Sequence, residues 1–289
     1  MPDALNLNHL IPDSKKLKGT TISDLLENFI NFNDRVLILL DIETLGLNPV
    51  YDYEQITELA ACSVSSVDYN KIDEINYKVK LSDTAKDLLK NEDSVQRFNW
   101  ERRQTKRGKT AFTDPNEILK MTHYHELETD AETECNVINF FKEFISKYDD
   151  PIIVAHNVDF DLNFICVRGN LYDIKLPAMD VFDTLKLSQY FFVPLVETLK
   201  NNETKEFYEK LLRETKRTRH ISSRLGDLAN ALKIDSKMWH SANADIKMMR
   251  DVMIKVIDVL TEYKKIDISS AQQTAINKTT KKTISRRKK

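Results

Sequence analysis

Val36-Leu37-Ile38-Leu39-Leu40-Asp41-Ile42-Glu43-Thr44-Leu45-Gly46 opens on five apolar residues and runs straight into charge. An unbroken apolar run this short, closed by charge and then glycine, predicts a central strand buried on both faces. Side chains alternate along a strand, so Asp41 and Glu43 leave it on the same side. Two carboxylates would then share the C-terminal edge of a central strand, the edge where open α/β sheets build their sites. Like charges so close repel unless a cation sits between them, and hard divalent cations favour oxygen ligands. A solvated strand end has the same local pattern, so the Asp-x-Glu pair carries weight only in company.

Two further stretches supply that company. Val154-Ala155-His156-Asn157-Val158-Asp159-Phe160-Asp161 again follows an apolar run, and it places Asp161 in the first turn of a helix, where the macrodipole favours negative charge. His240-Ser241-Ala242-Asn243-Ala244-Asp245 puts a histidine on a loop and an aspartate at the start of a long amphipathic helix. Histidine is the side chain best suited to moving a proton near neutral pH. Each stretch alone is equally well a helix cap or a loop residue. Together, four carboxylates at the edges of core elements can hold two hard cations roughly 4 Å apart. With a histidine in reach, that set is suited to hydrolysing a phosphodiester.

The remaining pattern frames these three stretches. A polar leader, 1–33, carries one amphipathic helix at 22–32. Strands are expected at 54–67 (ambiguous with helix), 75–79, 152–155 and 178–183. Helices are expected at 133–148, 161–169, 184–192, 224–232 and 243–263. A meander followed by alternating strands and helices predicts a mixed sheet with helices on both faces. Between them, 81–114 is polar and aperiodic, and carries Arg97, Arg102, Arg103, Lys106, Arg107 and Lys109, so it reads as a basic insertion. The expected organisation is the leader, a single catalytic domain at 34–263 with that insertion, and a basic, disordered tail at 264–289.

Bulk properties exclude several classes. The chain has 289 residues, 41% apolar and 30% charged, as an ordinary globular protein does. Cys62, Cys135 and Cys166 are odd in number and form no CxxC, which argues against a structural zinc site and for a reducing compartment. No signal-peptide pattern and no membrane-length apolar run appear, so an intracellular, cytoplasmic protein without membrane association is expected. The net charge of −2 hides an uneven split: 264–289 holds seven Lys, two Arg and one Asp. An acidic body suits clustered carboxylates, and a basic tail suits either phosphates or plain solvation. No Walker A loop and no GxSxG elbow are present, so Ser241 is no nucleophile candidate. His123 and His125 lack an evident third ligand. His156 supports the site by hydrogen bonding or is purely structural, and the cations at 213–224 grip a phosphate backbone or face solvent.

With these motifs in this order, the chain resembles the DEDD exonuclease superfamily, histidine subtype (DEDDh), whose relatives include the proofreading epsilon subunit, exonuclease I and RNase T. The resemblance rests on Asp41-Ile42-Glu43-Thr44-Leu45-Gly46-Leu47, on Ala155-His156-Asn157 through Phe160-Asp161, and on His240-x-Ala242-x-x-Asp245. It spans roughly 35–262, apart from the insertion. It implies an RNase H-like mixed five-stranded sheet flanked by helices. It also implies two Mg2+ or Mn2+ ions held by Asp41, Glu43, Asp161 and Asp245, His240 as general base, and release of nucleoside 5′-monophosphates. Thr44, Leu45 and Phe160 would meet the terminal nucleotide. Single-stranded DNA is the expected substrate, with RNA as the alternative; a polymerase or replication partner fits, and a non-catalytic polymerase-associated module is the contrasting reading. Three departures bear on substrate preference, one being that the basic insertion is longer than the family's usual connection. Leu45 stands where many relatives have Thr, and Met121-Thr122-His123-Tyr124 replaces a His-Gly-Ile.

Overall fold

The run at Val36 does become a central strand, longer than its apolar part. A computed structural model describes residues 7–10, 17, 19–51, 54–90, 131–199, 222–234 and 241–277. Strand β2 (Val36–Thr44) pairs antiparallel with β3 (Ile56–Ser65), which pairs antiparallel with β4 (Lys71–Lys78). On its other side β2 pairs parallel with β5 (Ile152–Ala155), and β5 pairs parallel with β6 (Met179–Asp183).

The expected sheet of five strands has a sixth. Leu7–His9 of the leader forms β1, parallel to β6, so the order is β1-β6-β5-β2-β3-β4. Three residues are too few for a periodic signal, which is why the sequence reads as a plain polar leader there. The ambiguity at 54–67 resolves as strand. Strand β3 is buried almost throughout, and burial on both faces erases the alternation that would identify it.

Alternation along β2 divides the core. Leu37 and Leu39 enter one apolar layer, while Ile38, Leu40 and Ile42 enter the other. The second layer is filled by α3 (Glu134–Ile145) and α4 (Val158–Asn170), which contribute Phe141, Phe144 and Phe164, all essentially inaccessible. Each such side chain stabilises by about 2–3 kcal/mol. The first layer packs under α1 (Ile22–Asn28), under the run from Thr184 to Leu199, under α7 (Leu225–Ala231) and under the long α8 (Ala242–Glu262). Between α1 and α3 in the chain, α2 (Asp83–Lys90) is a helix inside the start of the insertion, where the sequence reads as aperiodic. The Thr184 run is not one regular helix: α5 (Thr184–Leu187) passes through a π-helical turn (Ser188–Phe192) into α6 (Val193–Leu199).

Residues 269–277 correct the expected tail. They are helical, with Ile268, Gln272 and Ile276 buried against the first layer, and the Gln272 side-chain amide donates to the Tyr190 carbonyl at 3.2 Å. The π-turn supplies that carbonyl, and the glutamine satisfies it. Residues 91–130, 200–221, 235–240 and 278–289 lie outside the described residues. They include most of the basic insertion, His123, His125, Arg213, Lys216, Arg217, Arg219 and His240. No helix among the described residues is long and apolar enough to cross a membrane.

Candidate active site

Period-2 alternation carries Asp41 and Glu43 onto the same face as Leu37 and Leu39, the face covered by α8. Ser241 caps α8 by accepting the Ala244 N–H at 3.3 Å, which fixes Asp245 in the first turn, directed at the sheet. One oxygen from each of Asp41, Glu43 and Asp245 lies within 4.8 Å of the other two. Asp161 enters from the first turn of α4, and its Oδ1 accepts the Ile42 N–H at 3.3 Å, between the two β2 carboxylates. The four acidic residues expected to act together therefore converge at the C-terminal edge of β2.

Their electrostatics agree. Burial, followed by the negative charges of Asp161, Glu43, Asp245 and Glu58, holds the Asp41 carboxyl well above the usual range. Burial does the same to Asp161, with Asp183 and Glu43 adding to it and hydrogen bonds from backbone N–H groups opposing it. Carboxylates crowded in this way resist ionising together, and a divalent cation removes the conflict. The donor set is all oxygen and all acidic, which fits hard cations such as Mg2+ or Mn2+.

The turn before α4 is built by two residues with separate tasks. Asn157 sits at φ 86°, ψ 53°, a left-handed conformation that asparagine tolerates better than most residues. Its N–H donates to Asp183 Oδ1 at 3.1 Å. That same oxygen caps α5 by accepting the Leu185 and Lys186 N–H groups at 2.9 and 3.3 Å, so one buried carboxylate ties the ends of β5 and β6 together. His156 bridges Thr184 Oγ1 (3.0 Å) and the Ser223 carbonyl (2.9 Å). A carbonyl only accepts, so Nε2 carries the proton and Nδ1 accepts from the threonine hydroxyl. Burial pushes the imidazole down to about 4, so it is neutral. His156 thus ties the end of β5 to Thr184 and to Ser223 by hydrogen bonds.

The expected nucleotide contacts differ in exposure. Thr44 follows a β-bulge, where the β2–β3 register shifts between Glu43 and Thr44, and its hydroxyl donates to the Gly46 carbonyl at 2.6 Å. Bulges of this kind re-aim side chains beside sites. Phe160 is half-buried, with its ring 5.0 Å from that of Phe164. The Leu45 side chain is buried in a small cluster with Leu81 and Ala85, at the start of the basic insertion, and Ala131. His240 lies outside the described residues. Glu58 was not singled out in the sequence: it is buried and stands directly opposite Glu43 on β3. Only the strand register reveals it, since nothing in its local sequence points to the site.

No protein-family model matches the chain. In sequence it is similar to PolC-type DNA polymerase III of Latilactobacillus sakei, with 32% identity over 164 residues, 55% of this chain and 9% of the polymerase. The match thus spans about a tenth of that relative's length. In structure it is similar to a zinc-bound E. coli ExoI–ssDNA complex, with a TM-score of 0.50 and 16% identity over 80% of this chain and 42% of that one. A product-bound exonuclease I gives a TM-score of 0.50 at 15% identity over 80% and 46%. These likenesses show the fold, a mixed α/β sheet of the RNase H-like nuclease kind, here with six strands.

Proposed function

We propose that this chain is a DEDD-superfamily 3′→5′ exonuclease acting on nucleic acid. The observation that carries the reading is the convergence of Asp41, Glu43 and Asp245 within 4.8 Å, beside Asp161, on an exonuclease I-like fold. In this reading Asp41, Glu43, Asp161 and Asp245 hold two divalent cations, Mg2+ or Mn2+. When bound, such ions polarise the phosphodiester and stabilise the departing oxygen. His240 takes the proton of the attacking water, and the products are nucleoside 5′-monophosphates. Thr44, Leu45 and Phe160 border the terminal nucleotide.

Single-stranded DNA is the preferred substrate in this reading, because the similar ExoI structure is a complex with single-stranded DNA. Similarity to PolC-type polymerases favours a replication setting, inside the cell and beside a polymerase. The test is product analysis on 3′-labelled DNA and matched RNA oligomers with Mg2+ or Mn2+. Stepwise loss of mononucleotides from single-stranded DNA is expected, and Asp41→Ala should reduce it at least about a thousandfold while leaving the folded chain intact. Faster turnover of RNA would make the chain an exoribonuclease. Oligonucleotide binding without any hydrolysis would leave a non-catalytic module.

A further inference from the structure

Immediately after Glu43 and Thr44 the chain leaves β2 in a loop, and that loop closes on a single buried carboxylate. Glu54, 6% exposed, accepts the Leu47 N–H at 2.6 Å and the Asn48 N–H at 2.5 Å on the same oxygen, Oε2. Its own N–H donates to the Tyr51 carbonyl at 3.0 Å. The neighbouring bonds reinforce the closure: Leu45 N–H to the Gln55 carbonyl at 3.0 Å, and Arg168 Nη1 to the Tyr51 carbonyl at 3.3 Å.

Gly46 is matched to this carboxylate. A Cβ at position 46 would fall on the Glu54 carboxyl group, so the backbone can approach it only where there is no side chain. A carboxylate this near a site for a polyanion is tolerable because two N–H donors saturate the oxygen. With those N–H groups turned inward, the tip shows its apolar side chains to solvent: Leu47 is 57% exposed, Val50 68% and Tyr51 47%. Apolar and aromatic surface of this kind accepts bases without regard to sequence.

We infer that Glu54 is a positioning residue for the nucleic-acid strand. It holds the 46–51 loop so that its apolar tip meets the bases upstream of the terminal nucleotide. This rests on the reading of the site as one that binds a nucleic-acid 3′ end. The role is in seating the strand, not in the chemical step, and that separates it from a general contribution to stability.

The test compares full-length wild type, Glu54→Ala, Glu54→Gln and Gly46→Ala on two substrates. One is a single-stranded oligonucleotide; the other is the p-nitrophenyl ester of thymidine 5′-monophosphate, which is too short to reach the loop tip. Glu54→Ala should raise KM for the oligonucleotide about tenfold with kcat changed less than about twofold, and leave kcat/KM for the ester unchanged. Glu54→Gln keeps an oxygen acceptor and should recover most of the loss. Gly46→Ala should reproduce the defect, and should add little in the Glu54→Ala background, where its methyl no longer meets a carboxylate. Oligonucleotide affinity, read by fluorescence anisotropy in an Asp41→Asn background, should weaken by the same factor. An unchanged KM and affinity in Glu54→Ala, or an equal loss on both substrates, would overturn the inference. A wild type whose oligonucleotide affinity falls in Glu54→Ala but which hydrolyses nothing would overturn the exonuclease reading and leave this one standing.

Discussion

His156 shows how one hydrogen-bonded side chain can tie together the elements that carry the acidic cluster. Both of its ring nitrogens are used, one on Thr184 and one on Ser223, so it fastens the end of β5 to α5 and to the segment before α7. Its folded pKa is pushed down from 6.5 to about 4. Below pH 6.5 the unfolded chain takes up a proton that the folded chain refuses. The contribution of this histidine is therefore complete above 6.5 and is lost as the pH falls towards 4. The ring is partly accessible, which trims the loss to on the order of 2–3 kcal/mol. Urea unfolding between pH 4 and 7 should show a steeper decline for wild type than for His156→Gln, and equal slopes would remove this explanation. The four clustered carboxylates were legible in the sequence because each follows a pattern that marks the end of an element. Glu58 and Glu54 were not, because cross-strand register and loop closure depend on contacts between distant or irregular backbone, which leave no local period.

At the scale of elements, α3, α4 and the 46–55 loop are joined by one buried ion pair. Arg168 on α4 reaches Glu134 on α3 through Nε at 2.9 and 3.0 Å and Nη2 at 2.6 Å, with both side chains 4% exposed. Glu134 also accepts the Ile56 N–H at 3.0 Å and the Tyr172 hydroxyl at 2.9 Å, and the Tyr172 phenol is pushed up to about 12, chiefly by burial. Arg168→Met would strand a buried carboxylate and should cost about 3–5 kcal/mol in chemical denaturation. Replacing Glu134 by Gln in the same chain should return part of that loss, because the remaining group is then neutral. The main strands and the helices at 133–148, 224–232 and 243–263 were readable from periodicity within a few residues. The π-turn was not, since 184–192 has the apolar spacing of an ordinary helix. Strand β1 was missed for a related reason: its three residues gain their place from β6, not from any pattern of their own.

For the whole molecule, the acidic site is a local cost carried by an otherwise well-packed core. Asp41 and Asp161 have raised folded pKa values, so in metal-free protein their contribution is fully present below 3.8 and is lost as the pH rises through the folded values. A bound cation reverses that trend, because it favours the ionised carboxylates. Thermal unfolding at neutral pH should therefore show Mn2+ raising the Tm of wild type by several degrees. Asp41→Asn should melt higher than wild type without metal and respond much less to Mn2+. A wild type indifferent to Mn2+ would count against a metal site. The sixth strand has a different kind of consequence. Strand β1 leaves the ribosome well before its partner β6, to which it is joined through the pairing of Leu7, Asn8 and His9 and the Leu10 N–H donating to the Val181 carbonyl at 2.9 Å. Until β6 has been synthesised and laid down, the leader has nothing to pair with. Until the leader docks, the outer edge of β6 is an open template for any extended peptide nearby. The β1–β6 pair therefore cannot form before residue 183 has been synthesised, so an early segment waits on a late one.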